Sequence, residues 1–147
     1  MNTDLSPYGA FVMRISLGAV LIAHSVYLKL MVFTLAGTAN YFESIDLPSW
    51  LAYAVFSIES ITGILIIVGY KTRLSAAIVL PILIGATWAH SGNGWVFSAT
   101  NGGWEYPLFL SFIAGAVTLL GPGALAVESN KMSLIEELNY RNVISHN

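Results

Sequence analysis

The sequence predicts an all-α membrane protein, a four-transmembrane-helix antiparallel bundle followed by a short amphipathic C-terminal tail helix. Three observations predict it. Charged residues make up 10% of the 147, against about 25% in soluble domains, which is too little charge to cover a water-facing surface. Hydrophobic residues make up 56% and mean hydropathy is +0.71. The apolar residues gather in four runs separated by polar or glycine-rich breaks, as expected of helices that cross a hydrocarbon core of about 30 Å. The net charge of -2 comes without any basic run, which excludes nucleic-acid partners. The absence of cysteine excludes disulfides, thiolate metal sites and thiol redox chemistry, so any redox role borrows a cofactor.

Segment one covers residues 8–32, long enough to cross with some tilt. The N-terminus carries Asp4, has no basic stretch and shows no small-residue cleavage site, so this segment is read as a retained helix rather than a removable signal. Segment two, residues 50–70, is apolar except for Glu59 and ends at Lys71-Thr72-Arg73. Segment three, residues 74–90, follows at once, which makes the two antiparallel neighbours. Pro81 inside it is tolerated in lipid as a kink. Segment four, residues 106–120, is short for a span. Its start is marked by Pro107, suited to a first helical turn, and by Glu105 at the positive end of the helix dipole; Gly121-Pro122-Gly123 stops it. Residues 1–127 are thus the transmembrane domain and 128–147 a cytoplasmic tail. There Ser133 and Glu136 form a capping-box pattern ahead of Leu138, predicting an amphipathic surface helix.

The longer connections, residues 33–49 and 91–105, fall on one face. Lys71, Arg73, Lys131 and Arg141 fall on the other, whereas the first face has Lys29 beside Glu43, Asp46 and Glu105. The positive-inside rule then puts both termini in the cytoplasm of a multi-pass inner or plasma membrane protein.

Ionisable side chains at membrane depth are costly, so they turn inward and mark function or pairing. Here they are Arg14, His24 and Glu59, with Lys29, His90 and Glu105 nearer the outer edge. At about 100° per residue, Arg14, Gly18, Ser25 and Lys29 share an arc of roughly 60°, with His24 about 80° to one side. Counting helical rise from Trp50 and Leu30 places Glu59 about 13 Å and His24 about 9 Å below the outer surface. Two readings follow. Arg14 and Glu59 form a structural ion pair that fixes register, or His24 and Glu59 form a proton-exchanging, ligand-binding site facing an outward-opening cavity, with His90 and Glu105 as further candidates. A metal centre built from these four is disfavoured, because no pair has helical ligand spacing. Trp50, Trp88, Trp95 and Trp104 all fall at the outer face beside Tyr106. They read as an interface belt, or Trp88, Trp95, Trp104 and Tyr106 form an aromatic lid with the Asn93-Gly94-Trp95-Val96-Phe97 stretch.

Several of these elements together resemble the DoxX family. They are Arg14-Ile-Ser-Leu-Gly18, Ala23-His24-Ser25-Val26-Tyr27-Leu28-Lys29-Leu30, Leu47-Pro48, Glu59 with Gly63 and Gly69, Thr72-Arg73, His90, Glu105-Tyr106-Pro107 and Gly121-Pro122-Gly123. The resemblance covers about residues 8–127. One departure is local: Ser25 stands where the commoner pattern has Gly after the His, and Lys29 lies one residue further on. The resemblance implies a bacterial or archaeal inner-membrane protein of four helices linked to respiratory or sulfur redox chemistry. On that basis the first expectation is a quinone-associated or redox-complex membrane subunit with its His24–Glu59 site open to the outer face. Its cofactor is then a quinone held without a covalent bond, and its partners are the bilayer and a membrane or soluble redox protein. The second expectation is a non-catalytic scaffold that docks such a partner; a small-solute permease, the third, requires a homo-oligomer.

Overall fold

The computed structural model describes residues 4–96 and 98–128. Among these residues all regular structure is helical. Helix α1 (Ser6–Ile22) runs directly into a π-helical segment (Ala23–Val32), followed by a short α2 (Leu35–Ser44), α3 (Trp50–Val68), α4 (Thr72–His90), a 3-10 turn (Ser91–Asn93) and α5 (Glu105–Leu120). Three helical stretches, Ser6–Val32, Trp50–Val68 and Thr72–Asn93, are long and apolar enough to cross a membrane. Helix α5, at 16 residues, extends about 24 Å, somewhat less than a hydrocarbon core. The expected tail helix around Ser133–Leu138 lies outside the described residues, as does Phe97.

Two sequence expectations are corrected. The connection over residues 33–49 contains α2, which starts where the Thr34 hydroxyl accepts the Gly37 N–H at 3.1 Å and so satisfies one of the orphan donors of the first turn. The outer part of the first long helix is wound as a π-helix rather than an α-helix, so the angular positions expected for His24 and Lys29 change. Elsewhere the ends follow local chemistry. Gly69, at φ +75°, closes α3 by sending its N–H to Leu65 and Ile66 carbonyls while Tyr70 N–H reaches Leu65 O, an end that a side chain would strain. Helix α4 continues through Pro81.

Helix α4 packs most broadly on α5, α1 on α3, and α3 on α4, with α1 also touching α5. The core joins Leu17 and Leu21 of α1, Ile66 of α3, Ala76, Val79 and Leu83 of α4, and Leu110, Ala114 and Val117 of α5. Helices α1 and α3 approach closely at two glycines. A Cβ at Gly18 would lie 3.0 Å from Gly63 O and 2.6 Å from Ile67 Cγ1, so only the missing side chains let the backbones meet. The outside is equally apolar: Ile61, Phe112 and Leu119 are 59%, 69% and 78% exposed. In water such a surface is a liability, and against acyl chains it is matched to its solvent.

Candidate functional site

The polar groups divide between the two ends of the helices. At the end that holds the α3–α4 turn, Arg14 is fully buried. Its Nη1 donates to Ile66 O at 3.0 Å and Ile67 O at 2.5 Å, and its Nη2 to Ala124 O at 3.2 Å and Leu125 O at 3.4 Å. The expected Arg14–Glu59 pair does not form. The carbonyls at the C-terminal end of α3 carry partial negative charge and lack the i+4 N–H of a continuing helix, and the guanidinium takes up their remaining acceptor capacity, Ile66 O also receiving the Gly69 N–H. Arg73 does the same for α5, donating to Thr118 O at 3.2 Å, Leu119 O at 2.5 Å and Leu120 O at 3.3 Å. The strand of chain after α5 is stitched in at the same end. Ala124 N–H bonds Pro7 O, Glu128 N–H bonds Gly69 O, and the Glu128 carboxylate accepts Thr72 N–H at 3.3 Å.

The opposite end carries the remaining ionisable groups. Glu59, almost wholly buried on α3, accepts from Lys29 Nζ at 2.5 Å. The sequence places Lys29 at the outer edge beside Glu43, Asp46 and Glu105 and does not pair it with Glu59. Its long stem lets an ammonium anchored near the helix end reach inward to a carboxylate about two helical turns deep. The imidazole of His24 stacks on the Tyr106 ring with centroids 5.7 Å apart and planes 22° from parallel. His24 also lies within electrostatic range of Lys29 and His90. His24 thus lies within electrostatic range of the ammonium that pairs with Glu59.

His90 closes α4, and its Nδ1 lies 3.1 Å from Gly102 O and 3.2 Å from Asn101 O. Asn93 Nδ2 lies 3.3 Å from the same ring nitrogen. Asn93 Nδ2 donates to the same carbonyls at 2.9 Å and 3.1 Å. The loop is pinned at its neck by Trp104 N–H to Gly94 O and Glu105 N–H to Trp95 O. Glu105 is therefore tied by its backbone to the loop while its carboxyl sits in the first turn of α5.

Of the four aromatic lid candidates, Tyr106 lies against His24. Trp95 and Trp104 pair edge to face at 4.4 Å within the loop, and Trp88 is largely exposed. Trp88 and Trp104 instead border a shallow groove of about 380 Å³ between α4 and α5. The Thr87, Ser91 and Ser111 hydroxyls beside it bond their own helix carbonyls, leaving an apolar wall. That groove lies on α4 and α5, whereas the outward-opening cavity expected from the sequence lay beside His24 and Glu59; there, Lys29 reaches across to Glu59. No group of three or more His, Asp or Glu side chains among the described residues is arranged to hold a metal ion.

Residue-type reasoning missed Lys29 as the partner of Glu59, Tyr106 as the partner of His24, and Asn93 with the loop carbonyls as partners of His90. The available signal for Lys29 was its five-residue spacing from His24.

The family model described as DoxX matches residues 9–92, from within α1 through the end of α4. The chain is 35% identical over 78 residues to a protein of Bacillus subtilis (strain 168) named "Putative oxidoreductase CatD". That similarity covers 53% of this chain and 56% of the relative, so the chain matches a little over half the length of that protein. No solved structure matches the chain.

Proposed function

The chain belongs to the DoxX family, and from that premise we propose that it is a quinone-associated membrane subunit of a redox system. One observation carries the reading: a Lys29–Glu59 ion pair at 2.5 Å beside a His24–Tyr106 ring stack, inside otherwise apolar helices. Burying charge there is expensive, and a group of titratable side chains kept at depth marks a site. The donor set fits a quinone head group. The imidazole and the ammonium can donate to its carbonyl oxygens, and the Tyr106 ring offers an aromatic face. A quinone bound there supplies a two-electron, two-proton couple, with the electrons delivered by a membrane or soluble redox protein. The residues of the chain hold and orient: His24 donates at one oxygen, Lys29 neutralises Glu59, and Glu59 is the carboxylate that holds or releases a proton. The name of the Bacillus subtilis relative contains the word oxidoreductase, which supports a redox setting.

In this proposal α5 is the fourth crossing of an antiparallel bundle in a bacterial or archaeal inner membrane, and both termini are cytoplasmic. Arg73, at the turn between α3 and α4, is on the side that the positive-inside rule assigns to the cytoplasm. The test is to purify the full chain in mild detergent, extract it, and measure quinone per protein. Quinone should co-purify with the wild type and fall in His24→Ala and in Glu59→Gln. A wild type that carries none and does not bind added decylubiquinone removes the proposal.

A further inference from the structure

We infer that Lys29 is a displaceable latch on Glu59, released when a ligand carbonyl enters beside His24, so that ligand binding draws one proton into the protein; this rests on the quinone reading above. Three observations carry it. First, the ion pair is asymmetric. The Glu59 side chain is 6% exposed and that of Lys29 is 17% exposed, so the carboxylate is fixed in the interior and the ammonium is the partner with somewhere to go. Second, the two candidate donors share one element. His24 and Lys29 are five residues apart in the π-helical segment Ala23–Val32, whose i→i+5 bonding brings residues at that spacing back over one another. An oxygen hydrogen-bonded to His24 is therefore presented to the face that carries Lys29. Third, among the described residues the remaining ionisable groups near Glu59 do not supply a second cation to replace Lys29. The π segment brings His24, which is stacked on Tyr106 of α5. The end of α4 brings His90, whose Nδ1 is engaged by the Asn101 and Gly102 carbonyls. Helix α2 brings exposed Glu43, and Arg14 and Arg73 are held on carbonyls at the other end.

The proton balance follows from burial. With Lys29 on Glu59 the pair is neutral overall. When the ammonium turns its hydrogen bond to a ligand oxygen, Glu59 becomes a buried carboxylate without a counter-charge. That state costs several kcal/mol, and the carboxylate relieves it by binding a proton. The proton comes from the outer aqueous phase, Lys29 keeps its own, and the complex gains one positive charge per ligand. No bond to the ligand forms and no electron moves in this step.

Two readouts test it on the full-length protein in detergent, with decylubiquinone as the probe. A pH indicator in weakly buffered solution should report uptake of about one proton per probe bound. A hydrophobic carbodiimide, which attacks protonated carboxyls in apolar surroundings, should label Glu59 slowly in the free wild type and several-fold faster with probe present. Lys29→Met should label fast without probe and lose the proton uptake, Lys29→Arg should restore slow labelling, and Glu59→Gln should abolish both signals. If the probe binds with no proton uptake and unchanged labelling, the latch is wrong while the quinone site stands. If the wild type does not bind the probe, both fall. Labelling of Lys29→Met no faster than wild type also overturns the latch, and the Lys29→Arg result guards against a folding defect in the Met variant.

Discussion

Arg14 and Glu59 sit on facing helices and both are buried, yet each chose another partner. An arginine presents five donors in a planar fork, which suits a ring of carbonyls at a helix end better than a single carboxylate one side chain away. The match is incomplete, since Arg14 Nε is buried without a partner, and that cost is carried by the four bonds made by Nη1 and Nη2. The consequence is testable by double-mutant cycles on unfolding in detergent. Lys29→Met and Glu59→Gln should be coupled by about 1–3 kcal/mol, whereas Arg14→Met and Glu59→Gln should add to within about 0.5 kcal/mol. Arg14→Met alone should destabilise by about 3 kcal/mol because it leaves buried carbonyls unpaired, and Arg14→Lys by less, since it keeps the charge without the fork. Coupling between Arg14 and Glu59 as large as that of Lys29 with Glu59 would contradict the assignment. At this scale the sequence showed which polar residues turn inward, because lipid penalises the alternative. It did not show their partners. Side chains as long as Arg and Lys reach over a turn or more, and backbone carbonyls as acceptors leave no mark in a pattern of residue types.

The helices themselves were the most legible level, since their ends coincide with strong local signals: Pro7 in the first turn of α1, Gly69 after α3, Pro107 in α5 and Gly121 after it. Helix α2 escaped because Leu35–Ser44 contains Gly37, Thr38 and Asn40, weak helix formers with little periodic apolar signal. The π winding also escaped, although the extra residue between His24 and Lys29 was visible. In an α-helix a five-residue spacing turns the second side chain about 140° past the first, away from the site, while a four-residue spacing leaves it within about 40°. A π turn absorbs one added residue and keeps both on one face. Deleting Tyr27, which is 61% exposed, should therefore be tolerated: the segment rewinds as an α-helix with His and Lys four apart. Its thermal stability in detergent should fall far less than when Ile61 is deleted from the regular α3. Equal losses would mean that the π winding has another origin. The same element sets a limit on substitution at the α1–α3 crossing. Gly18→Val should cost about 1–3 kcal/mol of stability, because the new side chain meets Gly63 backbone at 3.0 Å, whereas Gly9→Val, with nothing within 4 Å of its added Cβ, should be near neutral by the same measurement.

Across the whole molecule the two ends are built differently. One end is locked by backbone carbonyls gathered on Arg14 and Arg73 and by the stretch after α5 bonded to Pro7, Gly69 and Thr72. The other pins His90 on the loop carbonyls but holds Glu59 and His24 by side-chain contacts with Lys29 and Tyr106, which are the kind a ligand can exchange. This polarity makes functional sense if α5 crosses the membrane and brings Tyr106 to one face and Gly121 to the other, and its length of 16 residues makes that a question with a direct answer. Phe112 lies at the middle of α5 and is 69% exposed. If α5 spans, this side chain faces acyl chains at the bilayer centre, where a lysine costs about 3 kcal/mol. A reporter enzyme that is active only outside the cytoplasm, fused after Glu128, should then be silent in the wild type and gain activity with Phe112→Lys as α5 fails to insert. The same reporter should stay silent with Ser98→Lys in the exposed loop. Activity already present in the wild type would mean that α5 lies outside the crossing set, and the His24–Tyr106 stack would then have to form at the membrane edge rather than within a closed ring of helices.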